Sequence, residues 1–348
     1  MEVPDPNQKA YTGYMANNPK RHHYLPQAIQ RNFLADGETK LWYYDRKEDT
    51  YEQRTPKGIA QLRNLYSYDG VDQEQRYALE KAFSVLEGKA APAFLKLQKG
   101  EEISQEEHTA IAEFVGMQYF RTPSKLEIIK EVTGRGIDYS IKNLRNEIAN
   151  MTDDAFRRFI DRYDKQSGKE PSTITKERLI EQLLHGTITV NNDKNLQLST
   201  LVDAGTHLGI KFSARSWAVL HTSSNEKFIT SDVGIHLTPD GKPTRITGLG
   251  PGSPGMAIIF PFADNVALMI TSKPIANVIH ADLEDALVFV VNSGLARVSG
   301  QLYSSDKAPL ERLVKTGNLA KTAFRPFFDE EQMQKFAQKH FFDSDSQA

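Results

Sequence analysis

The sequence contains no cysteine. This absence excludes disulfide bonds, thiolate metal ligands and a cysteine nucleophile. An excess of charge of one sign is also missing, since the 348 residues carry a formal net charge of -2 and a pI of about 6.5. No overall field therefore draws the chain to nucleic acid or to an anionic membrane, and only a local basic surface could do so.

Long apolar runs are missing as well. The first ten residues are polar and include Pro4 and Pro6, which does not match a signal peptide. The longest apolar segments, 256–262 and 286–291, have the length of strands. They fall short of the roughly 18 apolar residues that a membrane helix needs. We therefore expect a soluble, cytoplasmic protein without a membrane partner.

Fingerprints of nucleotide cofactors and of serine hydrolases are absent. Residues 248–255 are rich in glycine, but they lack the lysine and the following helix of a P-loop. The two prolines in this segment also remove amide donors that a phosphate cradle would use. No GxSxG elbow occurs, so an α/β-hydrolase nucleophile is not indicated. We expect no nucleotide cofactor, and the oligomeric state stays open.

The chain does have a dense polar stretch near its start, RHHYLPQAIQRNF at 21–33. A histidine before a helix can be a base, a metal ligand or a phosphate contact, because its pKa lies near neutrality. Gln27 and Arg31 are four residues apart, one turn after His23, so we expect the three to line one edge. Two structural alternatives stay open. In the first, one histidine caps the helix and the other is solvated; in the second, Arg31 forms a surface ion pair with Glu113.

Hydrophobic periodicity divides the chain into a helical part and a strand-rich part. Ser104 and Glu107 form a capping box that opens a helix through about Phe120. Further helices are predicted at 26–34, 73–97, 125–131, 137–150, 153–163, 175–185, 196–209 and 331–342. Strands are predicted at 41–44, 211–220, 227–230, 258–260, 267–271 and 287–291.

This pattern predicts an α+β fold in which a helical N-terminal and central part packs on a C-terminal, strand-rich and mainly antiparallel part. We expect a flexible arm at 1–20, a mainly helical part with a small N-terminal sheet at 21–210, and a strand-rich part with a C-terminal helix at 211–348. The last two parts are expected to form one composite domain.

Three further groups of residues could carry chemistry. Gln118 and Arg121 close the helix that begins at Ser104, and an arginine at that point can bind the free helix carbonyls or an anion. Glu80 and Glu87 lie on one helix face, where two solvated glutamates are the simplest interpretation. Asp232 follows a strand, where a carboxylate can be a base or a metal ligand, although Ser-Asp is also a common turn pair.

Several of these segments resemble one family. HYLPQ at 23–27 with RNF at 31–33, the helix ending in RTP at 121–123 and TSD at 230–232 are similar to the signatures of the bacterial family catalogued as domain of unknown function 4238. The resemblance covers roughly residues 20–305. In this chain Val-Gly follows TSD, where the family usually has Asn-Pro. The family has no established activity, so the resemblance indicates candidate residues and leaves the chemistry open.

Two functions follow as hypotheses. The first is metal-dependent hydrolysis of a phosphodiester or nucleotide by a three-part site, with a divalent metal as cofactor and nucleic acid or nucleotide as partner. The alternative is a non-catalytic module that binds an anionic ligand or a protein, as in a sensor or a defence system. In a third interpretation the motifs only hold the fold together.

The candidate residues are His23 and Asp232 for catalysis, Gln27, Arg31, Gln118 and Arg121 for substrate binding, and His23, Glu87 and Asp232 for the metal.

Overall fold

The computed structural model describes residues 20–168, 170–186, 192–223, 226–240, 250–273 and 278–316. Contacts divide the chain into two units, one of which contains the described residues within 20–128 and 198–316 and the other those within 129–197. The predicted arm at 1–20, except for Lys20, and the predicted helix at 331–342 lie outside the described residues. The predicted boundary near residue 210 stays a prediction.

Ten helices occur among the described residues, and side-chain caps begin several of them. The capping box predicted at Ser104 is present, with the Ser104 hydroxyl accepting from the backbone of Glu107 and the Glu107 carboxylate accepting from the backbone of Ser104. The helices are α1 (Gln27–Arg31), α2 (Gln73–Arg76), α3 (Ala78–Gln98), α4 (Gln105–Phe120), α5 (Pro123–Asn150), α6 (Asp153–Gln166), α7 (Lys176–Leu184), α8 (Lys194–Ser213), α9 (Asp285–Val298) and α10 (Lys307–Lys315).

Eleven strands occur in the same residues. They are β1 (Arg21–His23), β2 (Leu41–Asp45), β3 (Thr50–Arg54), β4 (Gln61–Arg63), β5 (Trp217–His221), β6 (Thr230–Ser231), β7 (His236–Pro239), β8 (Met256–Ala263), β9 (Val266–Ile270), β10 (Val278–Asp282) and β11 (Gln301–Ser304).

The strands form three sheets with the orders β1-β4, β10-β5-β9-β8-β7 and β3-β2-β11-β6. Among the described strands only β10 and β5 pair in parallel, and the other pairs are antiparallel. Helices dominate the N-terminal and central part and strands lie toward the C-terminus. The predicted α+β class is confirmed.

Three local predictions are wrong. The apolar run 287–291, predicted as a strand, lies inside α9, where Val288 and Val291 are buried and Leu287 and Val290 are exposed. This spacing of three residues between buried positions is helical, and the short run by itself does not distinguish a helix from a strand. The predicted strand at 211–220 is shorter, because α8 continues to Ser213. The helices predicted at 125–131 and 137–150 are one continuous helix, α5.

The first unit contains a very close helix crossing between α4 and α8. A methyl group on Gly116 would lie 2.5 Å from the carbonyl oxygen of Gly205 and 2.5 Å from the backbone nitrogen of Gly209. Only glycine allows such an approach, because any Cβ would overlap the backbone of the other helix. The crossing fixes the direction of α4, whose C-terminal end carries Gln118 and Arg121.

Two asparagines connect distant motifs within the same unit. The side chain of Asn32, directly after α1, donates to the carbonyl of Phe262 at 3.0 Å, and the backbone of Asp264 donates to the carbonyl of Asn32 at 3.1 Å. The Asn292 side chain on α9 accepts from the backbone of Ile229 at 3.0 Å and donates to the carbonyl of Lys227 at 2.8 Å. These bonds position α1 against β8 and α9 against the segment before β6.

The second unit has its own apolar core. Its buried members are Ile148, Phe156, Ile160 and Leu183, from α5, α6 and α7. The predicted helices at 153–163 and 175–185 correspond to α6 and α7. Across the part of the chain that the structure describes, no helix is both long and apolar enough to cross a membrane.

Candidate functional site

The first motif begins with β1, in which neighbouring side chains point to opposite faces. His22 is fully buried, its Nδ1 accepts a hydrogen bond from the backbone of Tyr66 at 2.9 Å, and the two rings stack. His23 is buried as well, and the residue that caps α1 is Pro26, without a side-chain bond. The alternative in which one histidine caps the helix and the other is solvated is therefore wrong.

Three buried side chains donate to consecutive backbone carbonyls between β1 and α1. These hydrogen bonds, which we name the carbonyl clasp, measure 2.7 to 2.8 Å. They run from Arg121 to the carbonyl of His23, from Gln118 to that of Tyr24 and from Gln30 to that of Leu25. Because buried carbonyls need donors, the clasp stabilises this non-helical segment inside the protein.

Arg121 also carries the strongest ion pair of this region. Its guanidinium lies 2.7 Å from the carboxylate of Glu87 and 4.4 Å from the centre of the Phe83 ring, and the residue is 3% exposed. Burial alone lowers the pKa of Arg121, but the charges of Glu87, Tyr66 and Glu80 outweigh it and hold this pKa above its usual range. The interpretation of Glu87 as solvated is wrong, because Glu87 is bound to Arg121.

Glu80 is buried near the same ion pair. Its Oε2 lies 3.9 Å from Nδ1 of His22 and has no hydrogen-bond partner within the described residues. Burial raises the pKa of Glu80 to about 7, the positive charge of Arg121 lowers it and the negative charge of Glu87 raises it further. The interpretation of Glu80 as solvated is therefore wrong, and this carboxyl titrates near neutral pH.

The three motifs meet at one point behind the clasp. A methyl group on Gly234, in the turn after TSD, would lie 3.3 Å from Cδ1 of Leu25 and 3.7 Å from Nε2 of Gln118. Gly234 has a φ of +70°, a conformation that glycine adopts at little cost. Segments from the HYLPQ motif, the helix before RTP and the TSD turn are thus in direct contact.

The Ser-Asp pair of the third motif bonds the backbone around it. The Ser231 hydroxyl accepts from the backbone of Val233 at 3.2 Å and of Gly234 at 3.1 Å. The Asp232 carboxylate accepts from the backbone of Gly300 at 3.1 and 3.2 Å. Burial raises the pKa of Asp232 to about 6, although backbone donors of Gln301 and Gly300 lower it. These bonds describe a turn pair, and a catalytic role of Asp232 stays a prediction.

The predicted edge of His23, Gln27 and Arg31 is present as a chain of polar contacts. Nε2 of Gln27 lies 3.5 Å from Nδ1 of His23, and Oε1 of Gln27 accepts from the Arg31 guanidinium at 3.0 Å. Arg31 is exposed, and no described residue forms an ion pair with it. The alternative of an ion pair between Arg31 and Glu113 does not match these contacts.

His23 stays neutral in this setting. Burial lowers the pKa of His23 to about 4; the backbone carbonyls of Lys57 and Pro56 raise it, and the charges of Arg121 and Arg31 lower it. Both charged side chains that act on His23 are cationic. The potential at this edge therefore favours an anion over a cation.

The metal set His23, Glu87 and Asp232 is not assembled. Glu87 is bound to Arg121, and Asp232 is bound to the backbone of Gly300. Within the described ranges, no three histidine, aspartate or glutamate side chains lie close enough together to hold a metal ion. The three motifs do lie close together, but the groups that meet there are backbone atoms and side-chain amides, and they are not metal ligands.

Sequence reasoning missed two parts of this region. Tyr66, which bonds His22 through its backbone and Arg121 through its hydroxyl, has no recognisable pattern around it. The pairing of β1 with β4 was missed as well, and it sets Arg21 opposite Arg63. No local signal identifies this pairing, because Arg-His-His and Gln-Leu-Arg are too short to show a strand pattern.

Comparison with family models agrees with the motifs. The model described as "Protein of unknown function (DUF4238)" matches residues 21–340, and the chain belongs to this family. No curated protein and no solved structure shows a significant match to the chain. The resemblance inferred from the motifs is thus confirmed for almost the whole chain, and the family itself assigns no chemistry.

Proposed function

We propose that this protein binds a phosphate-bearing anion at the edge formed by His23, Gln27 and Arg31. The observation that carries the proposal is the exposed Arg31 guanidinium, which Gln27 orients and which has no ion pair among the described residues. A planar guanidinium held in this way can donate two parallel hydrogen bonds to a phosphate. This proposal corresponds to the second hypothesis from the sequence, a non-catalytic module that binds an anionic ligand. The carbonyl clasp holds the segment between β1 and α1 in place and so supports the edge.

The charges around His23 favour an anion over a metal ion as the ligand. Burial is the main cause of the lowered pKa that keeps His23 neutral, and Arg121 and Arg31 lower this pKa further because they raise the positive potential at the imidazole. The neutral imidazole is buried and can accept a hydrogen bond from Gln27, so in this proposal it helps to orient Gln27 and Arg31 and does not itself touch the phosphate. Gln118 and Arg121 use their donors on backbone carbonyls, so their predicted role in substrate binding is replaced in this proposal by support of the edge.

Calorimetric titration with AMP tests the proposal directly. We expect Arg31→Gln to weaken AMP binding roughly 10- to 100-fold, the range for losing a charge-assisted bidentate contact. Lys273→Gln is the matched control, because Lys273 is exposed and follows β9 of another sheet. Equal affinity of wild type and Arg31→Gln, or an equal loss in the control, would contradict the proposal.

Hydrolysis of a bound phosphodiester is the second candidate. It is favoured by two titratable groups of the contacting motifs whose pKa values burial displaces, His23 to about 4 and Asp232 to about 6, because displaced pKa values are common at catalytic sites. A screen of oligonucleotide and nucleotide hydrolysis with added divalent metals tests it, with His23→Ala and Asp232→Asn as variants. Turnover that both variants lose supports hydrolysis, and binding without turnover contradicts it. A sensor or defence role stays a prediction.

A further inference from the structure

The two-stranded ladder of β1 and β4 carries two arginines in direct opposition. The register sets Arg21 opposite Arg63 and His23 opposite Gln61. Directly opposed residues share one face of a ladder, and so do residues two apart in a strand. Arg21 and Arg63 therefore lie on the face of His23, and His22 lies on the other.

Two further cations border this face. Lys57 belongs to the short 3-10 turn at Pro56–Gly58. The backbone carbonyls of Pro56 and Lys57 raise the pKa of the His23 imidazole, so this turn lies beside the His23 ring. The positive charge of Arg31 lowers the pKa of the same imidazole. We name Arg21, Arg31, Lys57 and Arg63 the basic edge.

The basic edge has no counter-charge within the described part of the chain. All four of its side chains are exposed, and none of the ion pairs between described residues includes them. Like charges in direct opposition destabilise a ladder, which makes the pair Arg21 and Arg63 unfavourable unless an anion lies between them. The arrangement thus favours a ligand with several negative charges.

From this arrangement we infer that the ligand is a nucleic-acid strand, whose phosphates follow the basic edge from Arg21 and Arg63 past His23 to Arg31. The inference rests on the proposed function and names its ligand class. One phosphate backbone can pass between Arg21 and Arg63 and on toward Arg31, so a single strand fits this arrangement better than the two backbones of a duplex. The overall charge of -2 does not oppose it, because a local row of cations acts within about one Debye length, roughly 8–10 Å.

The number of cations in the basic edge sets the size of the ligand. Arg21, Arg31, Lys57 and Arg63 can together neutralise about four phosphates. Four phosphate contacts predict a slope of about -2.8 for log K against log salt, at about 0.7 per phosphate in single strands.

The test compares oligonucleotides of one to eight nucleotides by fluorescence anisotropy, with AMP as the shortest ligand. For the wild type, affinity is expected to rise up to about four nucleotides and then to level off. The double variant Arg21→Gln/Arg63→Gln is expected to bind the octamer on the order of 10- to 100-fold more weakly, with a salt slope smaller by about 1.4. AMP binding, which depends on Arg31, should stay unchanged in this variant.

The outcomes separate this inference from the proposed function. If AMP binds and the octamer binds no more tightly, the nucleic-acid inference is overturned and the proposed function stands. If neither ligand binds, both are overturned. Equal binding to polyglutamate, or to phosphatidylserine vesicles, also overturns the nucleic-acid inference, because charge alone or a lipid headgroup would then suffice.

Folding of the double variant is checked by its thermal unfolding. Lys273→Gln serves again as the control for the loss of an exposed cation. A double variant that folds and binds the octamer with wild-type affinity and salt slope overturns the inference.

Discussion

The two faces of the β1–β4 ladder use charge in different ways. On the inner side, the buried Arg121 forms an ion pair with the partly buried Glu87, and Arg121 also donates to the backbone of His23. On the outer side, Arg21 and Arg63 are exposed and without an ion pair among the described residues. The same residue type thus stabilises the fold on one face and is available to a ligand on the other.

The motif residues on the two faces differ in what their hydrogen-bond donors already bind. Gln118 and Arg121 donate to backbone carbonyls, which are fixed parts of the protein. Arg31 donates to Gln27, a side chain on the same helix, and keeps other donors toward solvent. Substitutions on the inner face should therefore change stability, and those on the outer face should change binding.

The largest effect is expected for Arg121→Met. Removing one partner of a buried ion pair leaves Glu87 and the carbonyl of His23 without their donor, so we expect a loss of about 3–5 kcal/mol in the free energy of unfolding. Urea denaturation measures it. The exposed double variant Arg21→Gln/Arg63→Gln is the matched control, with a change of about 0.5 kcal/mol or less. A similar loss in both variants would remove the distinction between the faces.

The second effect concerns His23 and pH. The unfolded chain binds a proton at His23 near pH 6.5, but the folded protein does so only near pH 4. Between these values the unfolded state holds more protons, so the free energy of unfolding falls as the pH is lowered from 6.5 to 4. His23→Gln should reduce this fall by about 3 kcal/mol.

Denaturation at a series of pH values between 4 and 7 measures the fall. His207→Gln, which replaces an exposed histidine, is the control. An identical pH dependence in wild type and His23→Gln would show that His23 has the same pKa in the folded and unfolded states, contrary to the burial described above.

The third effect concerns Glu80, whose influence on the pH dependence of stability is opposite to that of His23. Glu80 loses its proton near pH 4.5 in the unfolded chain and near pH 7 in the folded protein, so stability falls as the pH rises through this interval. Glutamine resembles the protonated carboxyl but adds an amide that needs a partner. We therefore expect Glu80→Gln to be about 2 kcal/mol more stable than wild type at pH 8, with no gain at pH 4.5.

The measurement is urea denaturation at both pH values. Glu106→Gln, an exposed change on α4, is the control. A Glu80→Gln variant that is less stable than wild type at pH 8 would mean that the ionised carboxylate stabilises the inner face.

The contacts of His23, Gln27 and Arg31 were predicted better than the ion pair of the inner face, and the reason is distance along the chain. His23, Gln27 and Arg31 follow each other at helical spacing, so local geometry brings them together. Arg121 and Glu87 are 34 residues apart, and no local pattern relates them. The same limit explains why Glu80 was interpreted as solvated.

Predictions of secondary structure were also correct where the signal is local and wrong where packing decides. The capping box at Ser104 is a signal within four residues, and it marks the start of α4 as predicted. The segment 287–291 consists of residues that suit a strand and a buried helix equally well, so its assignment depended on packing that the sequence does not display. The α+β class was predictable because it rests on the order of many elements.

Hydrogen–deuterium exchange with and without a saturating octanucleotide tests the central claim most directly. The account predicts added protection in the segments that contain the basic edge, residues 20–31 and 56–63, and little change at α4, whose bonds to β1 are already formed. Protection confined to α4 or to the turn around Asp232, with no change at 20–31 and 56–63, would contradict it.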